Sequence, residues 1–138
     1  MLGRLPVLLV EDDPVCVMIL QRAFERCRIP NRLICAANGE EALDLLRSTP
    51  GNAQRPGLIF LDLNMPVMTG LEFLEIQKRD SDLKRIPVLV MTSSCQESDR
   101  RKSYELGAAG FITKPLEFDA FVSMVDTIHR YWRLCEEP

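Results

Sequence analysis

The chain has 138 residues, of which 46% are hydrophobic and 27% charged, and a net charge of −3. That length supports one domain with an ordinary core that needs neither disulfides nor metals to hold it. The weak negative charge argues against nucleic acid as a partner, no apolar run approaches the roughly 20 residues of a membrane span, and residues 1–6 are too short for a signal peptide ahead of the first apolar run. The five cysteines are odd in number and include no C-x-x-C. This argues against a disulfide framework or zinc knuckle and for a reducing cytoplasm.

Residues 5–10 are rich in Val and Leu and form the first strand, ending at Glu11-Asp12-Asp13. Pro14 stands just inside the next segment, where a helix tolerates it. Cys16, Leu20, Ala23, Phe24 and Cys27 then recur at helical spacing, so both cysteines read as small buried hydrophobes. Pro30-Asn31 marks a turn, and residues 32–36 are the second strand. Asn38 is the expected N-cap of the second helix, with Glu41 as its capping-box partner. Ala42, Leu45 and Leu46 are its expected apolar face. Residues 48–57 hold two Pro and two Gly and read as loop.

The third strand, residues 58–61, runs into Asp62. The third helix follows Thr69-Gly70, with Leu71, Phe73 and Leu74 expected inside, and closes at Asp80-Ser81-Asp82. Pro87 precedes the fourth strand, residues 88–91. The fourth helix, residues 97–106, is the least apolar and ends at Gly107, which suits the position after a helix. Residues 110–113 are the fifth strand. The fifth helix follows Pro115, and Phe121, Val122, Val125, Ile128 and Trp132 hold one face for about four turns. Met124, Tyr131 and Leu134 fall off that stripe. No linker or further domain is expected after it. Five strands alternating with five helices call for a parallel sheet covered on both faces.

In such a sheet, ligands bind at the carboxyl ends of the strands. Four strands end there in chemistry: Glu11-Asp12-Asp13, Asp62-Leu63-Asn64-Met65-Pro66, Thr92-Ser93-Ser94 and Thr113-Lys114-Pro115. Pro66 forces the loop to leave its strand sharply, and Gly70 reads as a conformation that favours a missing Cβ. Asp62 is thereby placed as a candidate nucleophilic carboxylate. Glu11 and Asp12 should lie near it, while Asp13 suits the helix N-terminus. Two carboxylates about 4 Å apart repel by roughly 4 kcal/mol at an effective dielectric near 20, so the cluster needs a counter-charge. Magnesium suits an all-oxygen donor set, and Lys114 supplies a fixed positive charge that reaches Asp62 or a phosphoryl oxygen. Thr92 offers a hydroxyl to an anionic oxygen. The Lys114-Pro115 peptide is a candidate cis bond. Taken singly, these are caps, an ordinary loop and a surface lysine; their placement on one sheet edge carries the chemistry.

Four stretches together resemble the receiver domain of two-component response regulators over nearly the full chain. They are residues 7–13, residues 61–70, Val90-Met91-Thr92-Ser93 and Gly110-Phe111-Ile112-Thr113-Lys114-Pro115. The resemblance implies a flavodoxin-like doubly wound sheet of order 2-1-3-4-5 with five helices. It implies Asp62 as phosphoacceptor and a magnesium site made by Glu11, Asp12, Asp62 and the backbone carbonyl of Asn64. Thr92 and Lys114 would contact the phosphoryl group, and Phe111 matches the aromatic switch position. The long 48–57 loop, Thr92-Ser93-Ser94, Lys102-Ser103-Tyr104 and a last helix running through His129-Arg130-Tyr131-Trp132-Arg133-Leu134 resemble the small regulators paired with bacterial phytochromes.

The expected partner is therefore a sensor histidine kinase of the bacteriophytochrome kind. A second copy is expected to meet the C-terminal helix region, with no nucleic acid and no membrane involved and a cytoplasmic location. The chain is expected to be a signalling protein that assists its own phosphotransfer and dephosphorylation, rather than an enzyme. The alternative is a receiver that drains phosphate or relays it with no output of its own. A phosphohydrolase of the haloacid-dehalogenase type would need an acid where Asn64 stands. A degenerate receiver would lack an acid or the lysine, and a nucleotide-binding fold would carry a glycine-rich motif absent here.

Overall fold

A computed structural model describes residues 5–48, 55–94 and 96–135, so most of the 48–57 loop lies outside the described residues. The elements are β1 (Val7–Val10), α1 (Pro14–Arg26), β2 (Leu33–Ala36), α2 (Gly39–Ser48), β3 (Leu58–Leu61), α3 (Gly70–Arg79), β4 (Val88–Thr92), α4 (Glu97–Glu105), β5 (Gly110–Thr113) and α5 (Phe118–Leu134). The five strands form one parallel sheet in the order β2-β1-β3-β4-β5. Among the described residues no helix is long and apolar enough to cross a membrane.

Strand side chains alternate between the two faces, and each face has its own core. Leu8, Val10, Ile59, Leu61, Val88 and Val90 pack with α2, α3 and the segment after α4. Val7, Leu9, Leu58, Phe60, Leu89 and Met91 pack with α1 and α5. The central strands are buried on both faces and read as continuous apolar runs for that reason. Each large side chain fully buried here, such as Phe60 or Phe73, contributes about 1.5–3 kcal/mol.

The helices start where the caps allow. Asp13 caps α1 by accepting the Val15 N–H, and Pro14 fills the first turn. Asn38 accepts the Glu41 N–H at 2.8 Å, which is half of the expected capping box. Thr69 and Glu72 form the complete box at α3. Gly107 takes the left-handed turn after α4 at φ 104°.

Several expectations are corrected. The buried face of α2 is Gly39, Ala42, Leu43 and Leu46, so Leu43 replaces Leu45. In α3 the buried set is Gly70, Phe73, Leu74 and Gln77, with Leu71 only half-buried. Both sets follow i, i+3, i+4, i+7 spacing from a glycine, whose missing side chain hides the start of the stripe. Buried Gln77 donates to the Leu83 and Ile86 carbonyls and ties α3 to the entry of β4. Met124 packs against the α1–α5 core rather than standing off it, because residues 121, 124, 125 and 128 follow the same spacing. Tyr131 and Leu134 are exposed as expected. The Lys114–Pro115 bond is trans, the isomer that X–Pro bonds favour, and α5 begins only at Phe118.

Candidate functional site

Backbone bonds carry the sheet ladder past the strands and fix the residues just beyond them. Glu11 N–H donates to Ala36 O at 2.9 Å, Asp62 N–H to Val10 O at 3.0 Å, and Lys114 N–H to Thr92 O at 2.8 Å. Val10 is level with Leu61, and Leu61 with Val90. The ends of β1, β3 and β4 are thus brought side by side, with β5 next in order.

Gly70 determines how closely the β3–α3 loop returns to that edge. A Cβ at Gly70 would stand 2.3 Å from the Asp62 carbonyl oxygen and 2.6 Å from Leu63 Cα. The missing Cβ expected at Gly70 is needed for space and not for a left-handed φ. In this loop it is Val67 that takes a positive φ, 69°.

Alternation divides the functional residues between the faces. Glu11, Asp62 and Lys114 continue the phase of Leu9, Phe60 and Ile112, on the α1–α5 side. Thr92 continues the phase of Val90, and Phe111 packs into the α2–α4 core. Thr92 lies level with Thr113, so Phe111 stands two residues back on the neighbouring strand and on the same face.

On the first face, oxygens of Glu11, Asp12 and Asp62 lie within 4.8 Å of one another. Glu11 and Asp62 are buried and Asp12 is exposed. Lys114 Nζ bonds Glu11 Oε1 at 2.5 Å and stands 3.6 Å from Asp62 Oδ1. The lysine therefore pairs first with Glu11, a contact the sequence did not suggest. Three carboxylates against one ammonium leave the cluster anionic. Burial, then the Glu11 carboxylate, pushes Asp62 up to about 6, against the opposing pull of Lys114 and the Asn64 backbone N–H. Burial would lower the Lys114 ammonium, but Glu11, Cys16 and Asp62 hold it above the usual lysine range. Cys16 lies beneath this cluster, and burial followed by the Glu11 charge pushes its thiol up to about 12. A thiol so protonated is unreactive, as its place in the core implies.

Asp62 Oδ1 is buried with no hydrogen-bond partner. A buried carboxylate oxygen without a donor leaves an interaction to be met. The donor set is all oxygen and anionic, open on the Asp12 side, and suits a hard divalent cation. Asn64, two residues beyond Asp62, is exposed at the mouth of the cluster.

On the second face Thr92 is fully buried, and its Oγ1 accepts the Ser94 N–H at 3.2 Å. Acting there as acceptor, the hydroxyl keeps its proton for another group. Ser94 in turn donates to Asp99 Oδ2 at 2.7 Å and so ties this loop to α4.

Comparisons with known proteins agree with this geometry. Residues 7–126 match the response regulator receiver domain. Response regulator Rcp1 of Synechocystis sp. is 38% identical over 128 residues, covering 91% of this chain and 87% of its own. The phosphorylated cyanobacterial phytochrome response regulator RcpA superposes with a TM-score of 0.87 at 34% identity, over 97% of each chain. The Mn2+-bound form of Rcp1 superposes with a TM-score of 0.85 at 36% identity, over 97% of this chain and 99% of that one. Sheet order, strand-end chemistry and relatives agree: the chain belongs to the response regulator receiver domain family and acts in phosphorelay signalling.

Proposed function

We propose that Asp62 is the phosphoacceptor, taking its phosphoryl group from a phosphohistidine on a sensor histidine kinase. The supporting observation is the Asp62 carboxylate itself. It is buried, has one oxygen without a hydrogen bond, and faces Lys114 Nζ at 3.6 Å. The bond from phosphorus to the donor's ring nitrogen breaks as the bond to an Asp62 oxygen forms, and the electron pair stays on the imidazole. The transition state is loose, so the site contributes positioning and charge neutralisation. Lys114 meets charge on the transferring oxygens once it shares its proton-bearing nitrogen between Glu11 and the incoming group.

Magnesium is the cation this donor set fits, and when bound it would neutralise phosphoryl charge. The residues that would hold it are Glu11, Asp12, Asp62 and the backbone carbonyl of Asn64. Each carboxylate lies within 4.8 Å of the others.

Thr92 and Phe111 form the switch. Thr92 turns its free hydroxyl proton to a phosphoryl oxygen, and Phe111, on the same face of the neighbouring strand, moves into the space vacated. Shifting a two-state element from 1:99 to 99:1 needs about 5.5 kcal/mol. Two or three charge-assisted hydrogen bonds at roughly 1.5–3 kcal/mol each supply that.

The kinase is of the phytochrome kind, a reading that rests on the likeness to RcpA and Rcp1. The chain works in the cytoplasm as a signalling protein rather than an enzyme. It forms a homodimer through the C-terminal half of α5, where Tyr131 is 60% and Leu134 83% exposed. The test of the acceptor is phosphotransfer from a phosphorylated kinase in the presence of magnesium. Wild type takes label and Asp62→Ala does not; label on the variant contradicts the assignment.

A further inference from the structure

At one edge of the sheet, Ile112 of β5 shares a groove with Tyr131 and Trp132 of α5. The opposite edge is β2. Its ladder with β1 shows which backbone groups are used. Val7 N–H donates to Arg32 O and Glu11 N–H to Ala36 O, with Val7 level with Leu33. Residues 32, 34 and 36 therefore turn their backbone groups inward, and the N–H and C=O of Leu33 and Cys35 point away from the sheet. Among the described residues no strand pairs with that side. An unpaired edge is a template for another strand, and a charge or a Pro usually blunts it. Leu33-Ile34-Cys35-Ala36 carries neither. The Leu33 and Cys35 side chains lie on the α1 side. An open groove of about 430 Å³ runs there between β2 and α1, lined by Phe24, Ile29 and Leu33 with Gln21 and Glu25. An added strand thus has room for its side chains.

Charge selects which strand fits. Arg28 and Arg32 are exposed just before β2, and Glu40 and Glu41 are exposed in the first turn of α2 just after it. None of the four has an ion-pair partner among the described residues. An antiparallel copy of β2 centred on Ile34 sets Leu33 opposite Cys35 of the second copy, and Cys35 opposite its Leu33. Each of these pairs exchanges both of its N–H···O bonds. The same register sets Arg32 opposite Ala36 of the second copy. Arg28 and Arg32 of each copy then lie toward Glu40 and Glu41 of the other. We propose that the β2 edge is an interface for a second copy of this chain, joined antiparallel about Ile34 into one continuous sheet. The surface is separate from the exposed end of α5, so a pair formed there keeps β2 free and can extend into a larger assembly. A strand of four residues makes a small contact at the weak end of specific interfaces, and assembly is expected only at high concentration.

The experiment follows assembly by sedimentation velocity from about 10 µM to about 1 mM, the range of weak contacts. Wild type should gain a species of doubled mass at the top of that range. The step starts from a dimer if α5 pairs and from a monomer if it does not, so it reads β2 alone. Cys35→Pro removes an outward N–H that the β1–β2 ladder does not use. It should keep the wild-type circular dichroism and lose the step. Two charge variants, Arg28→Glu with Arg32→Glu and Glu40→Lys with Glu41→Lys, set like charges together in their own pairs and opposite charges in each other's. Each alone should need at least about tenfold more protein than wild type to assemble, and an equimolar mixture should assemble as wild type does. Amide exchange at Leu33 and Cys35 should slow at least about fivefold between the lowest and highest concentrations, and that at Ile34 and Ala36 should change less. An unchanged mass in wild type, a wild-type step in Cys35→Pro, or a mixture no better than its parts overturns the proposal. Slowed exchange at Leu33 and Cys35 with a synthetic acidic, Val-rich peptide but not with concentration also overturns it, since the edge would then serve another protein.

Discussion

The two faces of the sheet end differently at the same edge. On the α1–α5 side, Glu11, Asp62 and Lys114 converge, with an ion pair already made and one carboxylate oxygen unmet. On the α2–α4 side, Thr92 and Phe111 carry no charge, and the hydroxyl accepts from its own loop while keeping its proton. The difference comes from strand alternation. On the roles proposed above, one residue of register separates the side chain that would react from the one that would respond. The contrast also separates two kinds of mutational effect.

The largest effect is expected at Lys114. Lys114→Ala leaves Glu11 and Asp62 without their ammonium and should slow phosphotransfer by about a hundredfold, the usual loss for one charge-stabilising donor. Phe111→Ala in the same assay should change transfer less than about threefold, since its effect falls on the conformational response rather than on the transfer step. Equal losses at Lys114 and Phe111 would end the separation of the faces.

Gly70→Ala comes next. It forces a Cβ to within 2.3 Å of the Asp62 carbonyl, and overpacking of that order costs about 3 kcal/mol. Urea unfolding reads this directly, and an unchanged midpoint would mean the loop does not press on the strand end as described.

A smaller effect concerns pH. In the metal-free protein Asp62 titrates near 6 against an ordinary 3.8. The folded state therefore holds a proton that the unfolded state has lost between these values. The Asp62 contribution to stability is fullest below about pH 4 and is lost as pH rises through about 6. Asp62→Asn lacks that loss and should be the more stable at pH 8 by about 2 kcal/mol, within the limit linkage sets. Saturating magnesium should erase the difference. If melting of metal-free wild type and Asp62→Asn runs parallel from pH 4 to 8, the buried acidic cluster is less strained than its geometry implies.

Every element was legible in the sequence, β3 and β5 to the residue. Apolar runs that end in charge are hard to mistake when both sheet faces are covered. Glu11, Asp12, Asp62, Thr92 and Lys114 were legible too, because a parallel sheet sends every strand end to one edge. Features that depend on exact approach were not. Leu43 and Gln77 were hidden because their stripes begin at a glycine and include an amide. The pairing of Lys114 with Glu11 is a matter of reach, which spacing along the chain does not encode. The positive φ of Val67 was invisible because residue type argues against it.

The central claim is that this edge exists to phosphorylate one carboxylate. Peptide mass mapping of wild type after treatment with phosphoramidate and magnesium tests it most directly. One phosphoryl group is predicted on the peptide containing Asp62, absent when magnesium is removed and absent in Asp62→Ala. A phosphoryl group on any other peptide, or the same modification in Asp62→Ala, would contradict it.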